Sequence, residues 1–184
     1  MSYNPDVHHR HSIRLQGYDY TCDGFYFVTI CVHNYRPLFG SIQDGIMTLS
    51  DAGEIIEDEF ARLTERYPHI ICHEHIVMPN HFHAIIQIKD NVGASLADAQ
   101  NETGHPQGAP LQKITLGQII GAFKSITTHR CIQLYNKYGK HLGKVWQRNY
   151  YEHIIRNQRS YDEITRYIIE NPIHWHNNKL YLAQ

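Results

Sequence analysis

The sequence predicts an α+β fold: an antiparallel sheet of ferredoxin-like, split β-α-β topology, with one further helix at the C-terminal end. Three observations predict it. Segments of period two and period 3.6 follow one another in the order strand, helix, strand, strand, helix, strand, helix. The long strand candidates at 69–77 and 81–89 are separated only by Met78-Pro79-Asn80, a link short enough to call for an antiparallel pair joined by a tight turn. The 184 residues, 42% apolar and 19% charged, suit a single globular domain with a sizeable core.

Each element has its own signal. Residues 1–20 are polar, rich in His, Arg and Tyr, and read as extended. The aromatic and β-branched run Phe25-Tyr26-Phe27-Val28-Thr29-Ile30-Cys31-Val32, entered through Gly24, reads as a strand. Residues 38–49 read as a hairpin turning at Asp44-Gly45. Ser50 or Asp51 opens a helix to about residue 66; Asp51 and Glu54 have capping-box spacing, and Ile55, Ile56, Phe60 and Leu63 share one face. After the strand pair, residues 90–112 are dominated by Asn, Gly, Ala, Gln and Pro and read as a mobile loop. A second helix from about 115 to 138 gathers Leu116, Ile119, Ile120, Phe123 and Ile126 on one side. Residues 145–155 read as the fourth strand. Ser160, with Glu163, opens the last helix, which Pro172 stops near Asn171. Residues 1–184 are thus one domain, with 158–184 its final helix and tail. Helices on one face of such a sheet leave the other face free for ligands.

Composition narrows the class. No stretch approaches the roughly 18 apolar residues of a membrane span, and the N-terminus lacks a signal-peptide pattern, so a cytoplasmic protein with no membrane partner is expected. The four cysteines are scattered, without a CxxC pair, and read as reduced, mostly buried thiols. Formal net charge is −1, but residues 1–112 hold 6 Lys/Arg against 14 Asp/Glu, and residues 113–184 hold 11 against 4. A basic C-terminal half can follow a phosphate backbone or simply make a dipolar surface. Lys124, Arg130, Arg148 and Arg156 are the candidates for nucleic-acid contact; each could equally be a solvated charge.

Chemistry concentrates in His81-Phe82-His83-Ala84-Ile85-Ile86-Gln87-Ile88. In a strand, alternation sends Phe82, Ala84, Ile86 and Ile88 to a core and His81, His83, Gln87 and Lys89 to the opposite face. Two imidazoles on one face form a pair of metal ligands. The last helix offers the missing parts. Tyr167 and Asn171, spaced i, i+4, share a face, beside an apolar stripe of Ile164 and Ile168 able to dock the helix. Docked beside the histidine strand, Asn171 could offer a carbonyl oxygen to a divalent metal, with the Tyr167 hydroxyl one turn away. Such a cation keeps open positions for phosphate oxygens. A phenol, with an ordinary pKa of about 10, is a poor nucleophile, but a phosphotyrosine retains the energy of the broken phosphodiester for rejoining. His73 and His75 form a second His-x-His pair, read as sheet-surface or hydrogen-bonding residues. Tyr150 and Tyr151 suit packing or base stacking, Tyr161 suits docking, and Asn171 could instead cap its helix.

Taken together these segments resemble the HUH single-tyrosine transposases, most closely the REP-associated tyrosine transposases. The resemblance runs over nearly the whole chain. It is carried by Ile13-Arg14-Leu15-Gln16-Gly17-Tyr18-Asp19-Tyr20, Tyr26-Phe27-Val28-Thr29-Ile30-Cys31, Met78-Pro79-Asn80-His81-Phe82-His83 and Ile120-Gly121-Ala122-Phe123-Lys124-Ser125. It continues through Val145-Trp146-Gln147-Arg148-Asn149-Tyr150-Tyr151-Glu152-His153-Ile154-Ile155-Arg156 and Tyr167-Ile168-Ile169-Glu170-Asn171-Pro172. The resemblance implies a ferredoxin-like nuclease acting on single-stranded DNA, often at the foot of a hairpin or palindrome. His81 and His83 match the metal ligands, Asn171 the third ligand position and Tyr167 the nucleophile. The metal would be Mg2+ or Mn2+, and the product a 5′-phosphotyrosyl enzyme with a free 3′-hydroxyl. Relatives use the tyrosine within one chain or across a homodimer, and the resemblance leaves both open. Two other readings stand beside a strand transferase: a non-catalytic nucleic-acid-binding descendant of a transposase, and a metal-dependent hydrolase without a covalent step.

Overall fold

The structure, a computed structural model, describes Leu15, residues 17–89 and residues 114–181. The loop expected at 90–112 and the matched residues Ile13, Arg14 and Gln16 lie outside the described residues. The elements are β1 (Gly24–Cys31), β2 (Gly40–Gln43), β3 (Ile46–Leu49), α1 (Asp51–Ala61), α2 (Leu63–Arg66), β4 (Ile70–Met78), β5 (His81–Ile88), α3 (Leu116–Lys137), β6 (Tyr151–Ile155) and α4 (Gln158–Glu170). Four strands form one sheet in the order β4-β5-β1-β6, every neighbouring pair antiparallel. Each helical connection therefore crosses one intervening strand: α1 carries the chain from β1 over β5 to β4, and α3 carries it from β5 over β1 to β6. This is the split β-α-β arrangement expected from the element order. β2 and β3 make a separate hairpin that turns at Asp44-Gly45, both at positive φ, as a two-residue hairpin requires.

One face of the sheet carries the main core. Tyr26, Val28, Ile30 and Val32 of the first strand and its extension join Phe82, Ala84, Ile86 and Ile88 of β5, all buried with Ile56 and Phe60 of α1 and Ile119, Ile120 and Phe123 of α3. Thr115 and Gln118 cap α3 reciprocally, each side chain satisfying the other's backbone N–H.

The second face is not free. Ile85, Ile155 and Ile168 form a smaller cluster with Phe25, Phe27, Ile76, Tyr161 and Ile164, which docks α4 over β4 and β5. The expected apolar/polar alternation of β5 is consequently replaced by burial on both faces, as for any central strand covered by helices on each side. α4 also starts earlier than Ser160: Asn157 is the cap, its side chain accepting from the Ser160 backbone, while Glu163 pairs with Arg159. The strand expected over 145–155 is shortened to Tyr151–Ile155. Val32 bridges Trp146 and the Gln147 N–H reaches the Cys31 carbonyl, but the carbonyls of Gln147 and Arg148 turn to the Lys124 ammonium, which takes them out of the ladder.

Candidate active site

β5 begins at the pair of histidines. His81 faces Cys31 and His83 faces Thr29 across the ladder, so both imidazoles project onto the sheet face that α4 covers. Their ring centroids are 4.5 Å apart, at 73°. Both are buried, His81 completely. Burial, with His83 close by, holds His81 well below its ordinary pKa, and burial pushes His83 down to about 3. Two neutral imidazoles result, the protonation state a metal ligand needs.

Hydrogen bonds orient both rings. His81 Nδ1 lies 2.8 Å from Asn80 Oδ1. Asn80 Oδ1 is the acceptor there, because its amide nitrogen donates to the carbonyls of Tyr35 and Leu180. His81 therefore carries its proton on Nδ1. Its Nε2 is buried and has no hydrogen-bond partner. A buried lone pair without a donor is costly unless something else takes it. His83 Nδ1 lies 2.8 Å from the Thr29 hydroxyl, and its ring stacks on Phe27 at 5.2 Å.

α4 brings the other two residues. Its apolar stripe sinks Ile168 completely, and this leaves Tyr167 half-exposed over the inner strands β1 and β5. The Tyr167 hydroxyl lies 3.4 Å from His83 Nε2, and its ring meets Phe27 and His83 edge-on. One turn later Asn171 ends the helix, buried, its N–H bonded to the Ile168 carbonyl and its Oδ1 accepting from Asn178. His83, Tyr167, Asn171, Thr29 and Tyr151 line one cavity of about 530 Å3 with His174 and residues 177–180 of the tail. His81 stands behind that wall, its ring 5.9 Å from Trp175.

The donor set fits a divalent cation. Among the described residues no group of three His, Cys, Asp or Glu side chains forms a metal cluster. Two neutral imidazoles with the Asn171 carbonyl oxygen are the available set, and the orphaned His81 Nε2 is the atom that asks for an occupant. A set of two nitrogens and one neutral oxygen leaves coordination positions open.

The second His-x-His pair has no such geometry. A bulge between Cys72 and His75 breaks the alternation of β4. His73 lies on the α4 face against Phe25 and Tyr161, bonded to Gln87 and the Tyr161 hydroxyl. His75 lies on the other face, its ring tilted against Phe60 at 4.5 Å and bonded to Glu57 at 2.8 Å.

The four basic candidates separate. Arg130 is held by Asp58 and the buried Glu59. Lys124 donates to two backbone carbonyls. Arg148 and Arg156 are exposed. Of the rival tyrosines, Tyr150 is buried in the core and Tyr161 bonds His73, while Tyr151 is exposed at the cavity. Thr29, Asn80 and Asn178 were not singled out from sequence. Asn80 adjoins His81 and Thr29 faces the right way in its strand, which were usable signals; Asn178 offered none.

No protein-family model matches the chain. An uncharacterized protein of Haemophilus influenzae is 40% identical over 182 residues, covering 98% of this chain and 97% of that one. Among solved structures, a REP-associated tyrosine transposase bound to a REP hairpin superposes with a TM-score of 0.57 at 20% identity, covering 90% of this chain and 77% of that one.

Proposed function

We propose that this chain, which belongs to one family with the Haemophilus influenzae protein and has the fold of a REP-associated tyrosine transposase, cuts and rejoins single-stranded DNA through a phosphotyrosine. The observation that carries the reading is the 3.4 Å approach of the Tyr167 hydroxyl to His83 Nε2 within one chain. A nucleophile candidate and a metal-ligand candidate from elements 84 positions apart meet at a solvent-accessible cavity, and neither packing nor capping demands that coincidence.

His81, His83 and Asn171 would hold Mg2+ or Mn2+, which supplies charge neutralisation at the phosphate oxygens and orients the phosphorus. Asn80 keeps His81 in the tautomer whose Nε2 lone pair faces the site, and Thr29 orients the His83 ring. The Tyr167 oxygen forms the new bond to phosphorus and releases its proton. The P–O3′ bond breaks, and the departing oxygen takes up a proton to become a free 3′-hydroxyl. The 5′ side stays on Tyr167 until an incoming 3′-hydroxyl reverses the step. Tyr151, exposed beside the cavity, offers a stacking surface for a base, and Arg148 and Arg156 offer phosphate contacts. The transposase of like fold is bound to a REP hairpin, so a DNA hairpin with a single-stranded foot is the substrate to try.

The test is incubation with end-labelled hairpin DNA and Mg2+ or Mn2+. A covalent adduct mapped to Tyr167 and absent from Tyr167→Phe is the expected result. Binding without cleavage would favour a non-catalytic DNA-binding protein. Cleavage that survives Tyr167→Phe would favour a hydrolase without a covalent step.

A further inference from the structure

α4 docks through Ile164 and Ile168 and through hydrogen bonds from Tyr161 to His73 and from Tyr167 to His83, but none of these contacts involves Asn171 at the helix end. Something else must fix where Asn171 sits relative to His81, 90 positions earlier in the chain. Four hydrogen bonds join the two. The Asn178 amide nitrogen donates to Asn171 Oδ1 at 3.0 Å. The Leu180 backbone N–H donates to Asn178 Oδ1 at 2.9 Å. The Asn80 amide nitrogen donates to the Leu180 carbonyl at 2.7 Å, and His81 Nδ1–H donates to Asn80 Oδ1 at 2.8 Å. One tail peptide, that of Leu180, thus serves both halves of the site, through its N–H and its carbonyl.

The polarity of this chain is set by backbone groups. The Leu180 N–H can only donate, which forces the Asn178 oxygen toward it and the Asn178 NH2 toward Asn171. The Leu180 carbonyl can only accept, which turns the Asn80 NH2 to it and the Asn80 oxygen to His81. The outcome at each end is a lone pair: Oδ1 of Asn171 keeps its second one, and Nε2 of His81 keeps its own.

We propose that residues 178–180 are a clasp that sets the spacing and orientation of the metal ligands, with Asn178 and Asn80 as positioning residues. The inference rests on the metal-site reading above and assigns a role to the tail beyond it. The clasp is a hydrogen-bonded link between Asn171 and His81, so releasing it costs cation affinity while leaving the core intact.

Mn2+ titration of the full-length protein without DNA, by calorimetry, tests this. Asn178→Ala should weaken Mn2+ binding about tenfold, with an unchanged far-UV spectrum, and should raise hydrogen exchange across 175–181. Asn178→Asp, which keeps the acceptor for Leu180 but loses the donor to Asn171, should weaken binding similarly. Adding Asn178→Ala to Asn171→Ala should cost nothing further, since both act through one ligand. Wild-type Mn2+ affinity in Asn178→Ala, with binding abolished in His81→Ala, would overturn the clasp and leave the metal site standing. No Mn2+ binding by the wild type would overturn the metal site and the clasp's role with it.

Discussion

His73 and His75 stand two positions apart on one strand, yet their imidazoles lie on opposite faces of the sheet, one against Tyr161 and the other against Phe60. The bulge between Cys72 and His75 accounts for it. Only the uninterrupted pair, His81 and His83, keeps its rings together. Mn2+ affinity should therefore fall below detection in His81→Ala and His83→Ala but stay within about twofold of wild type in His73→Ala. Calorimetric titration of the three variants checks this, and a loss in His73→Ala equal to that in His81→Ala would place the metal elsewhere.

Thr29 and His83 are direct neighbours across β1 and β5, hydroxyl to Nδ1 at 2.8 Å. Thr29→Val keeps the shape and removes the partner. It should cost about 1 kcal/mol of stability and about tenfold in Mn2+ affinity, since the ring loses the hydrogen bond that orients it. Urea unfolding and metal titration measure the two separately. Unchanged affinity would mean that packing against Phe27 alone holds the ring.

The buried histidines also make stability depend on pH. Their native pKa values are depressed, so below about pH 6.5 the unfolded chain binds protons that the native protein refuses. Stability is full above the unfolded pKa and declines as the pH falls toward the folded one. An imidazole still neutral at pH 5 should cost about 2 kcal/mol relative to pH 8. His75, raised by its bond to Glu57 against the effect of burial, acts in the opposite sense: its contribution is present below about pH 6.5 and is lost as the pH rises. Urea midpoints at pH 8, 6 and 5 should fall for wild type and fall less for His83→Gln. Parallel curves would refute the assignment.

The basic side chains should separate by function. Arg130→Ala strips a buried Glu59 of one of its two arginine partners, the other being Arg66, and should cost about 2–3 kcal/mol. Arg148→Ala and Arg156→Ala, at exposed positions, should leave stability within about 0.5 kcal/mol. Each should weaken hairpin binding and lower the salt slope by about one. Thermal melts and binding at several salt concentrations give both quantities. An Arg130→Ala protein of normal stability and impaired DNA binding would reverse the assignment.

Local signals in the chain determined a great deal here. Aromatic and β-branched runs, the Asp44-Gly45 turn, the apolar face of Leu116, Ile119, Ile120 and Phe123, and Pro172 act over a few residues, and the elements they specify are the ones found. The order of those elements leaves few ways to close an antiparallel sheet, so the topology came with them. That His81 and His83 share one face of a strand, and Tyr167 and Asn171 one side of a helix, was legible because alternation in a strand and i, i+4 spacing in a helix are short-range geometry.

Tertiary structure decided what depends on partners far away in the chain. That α4 covers the second sheet face, that His73 and His75 part company, that Arg130 belongs to Asp58 and Glu59, and that Asn178 reaches Asn171 are contacts between surfaces, and no window of sequence contains both sides. Local propensity acts over a few bonds; the position of a docked helix is the sum of many weak apolar contacts and a few directional hydrogen bonds, and it exists only once the chain has folded.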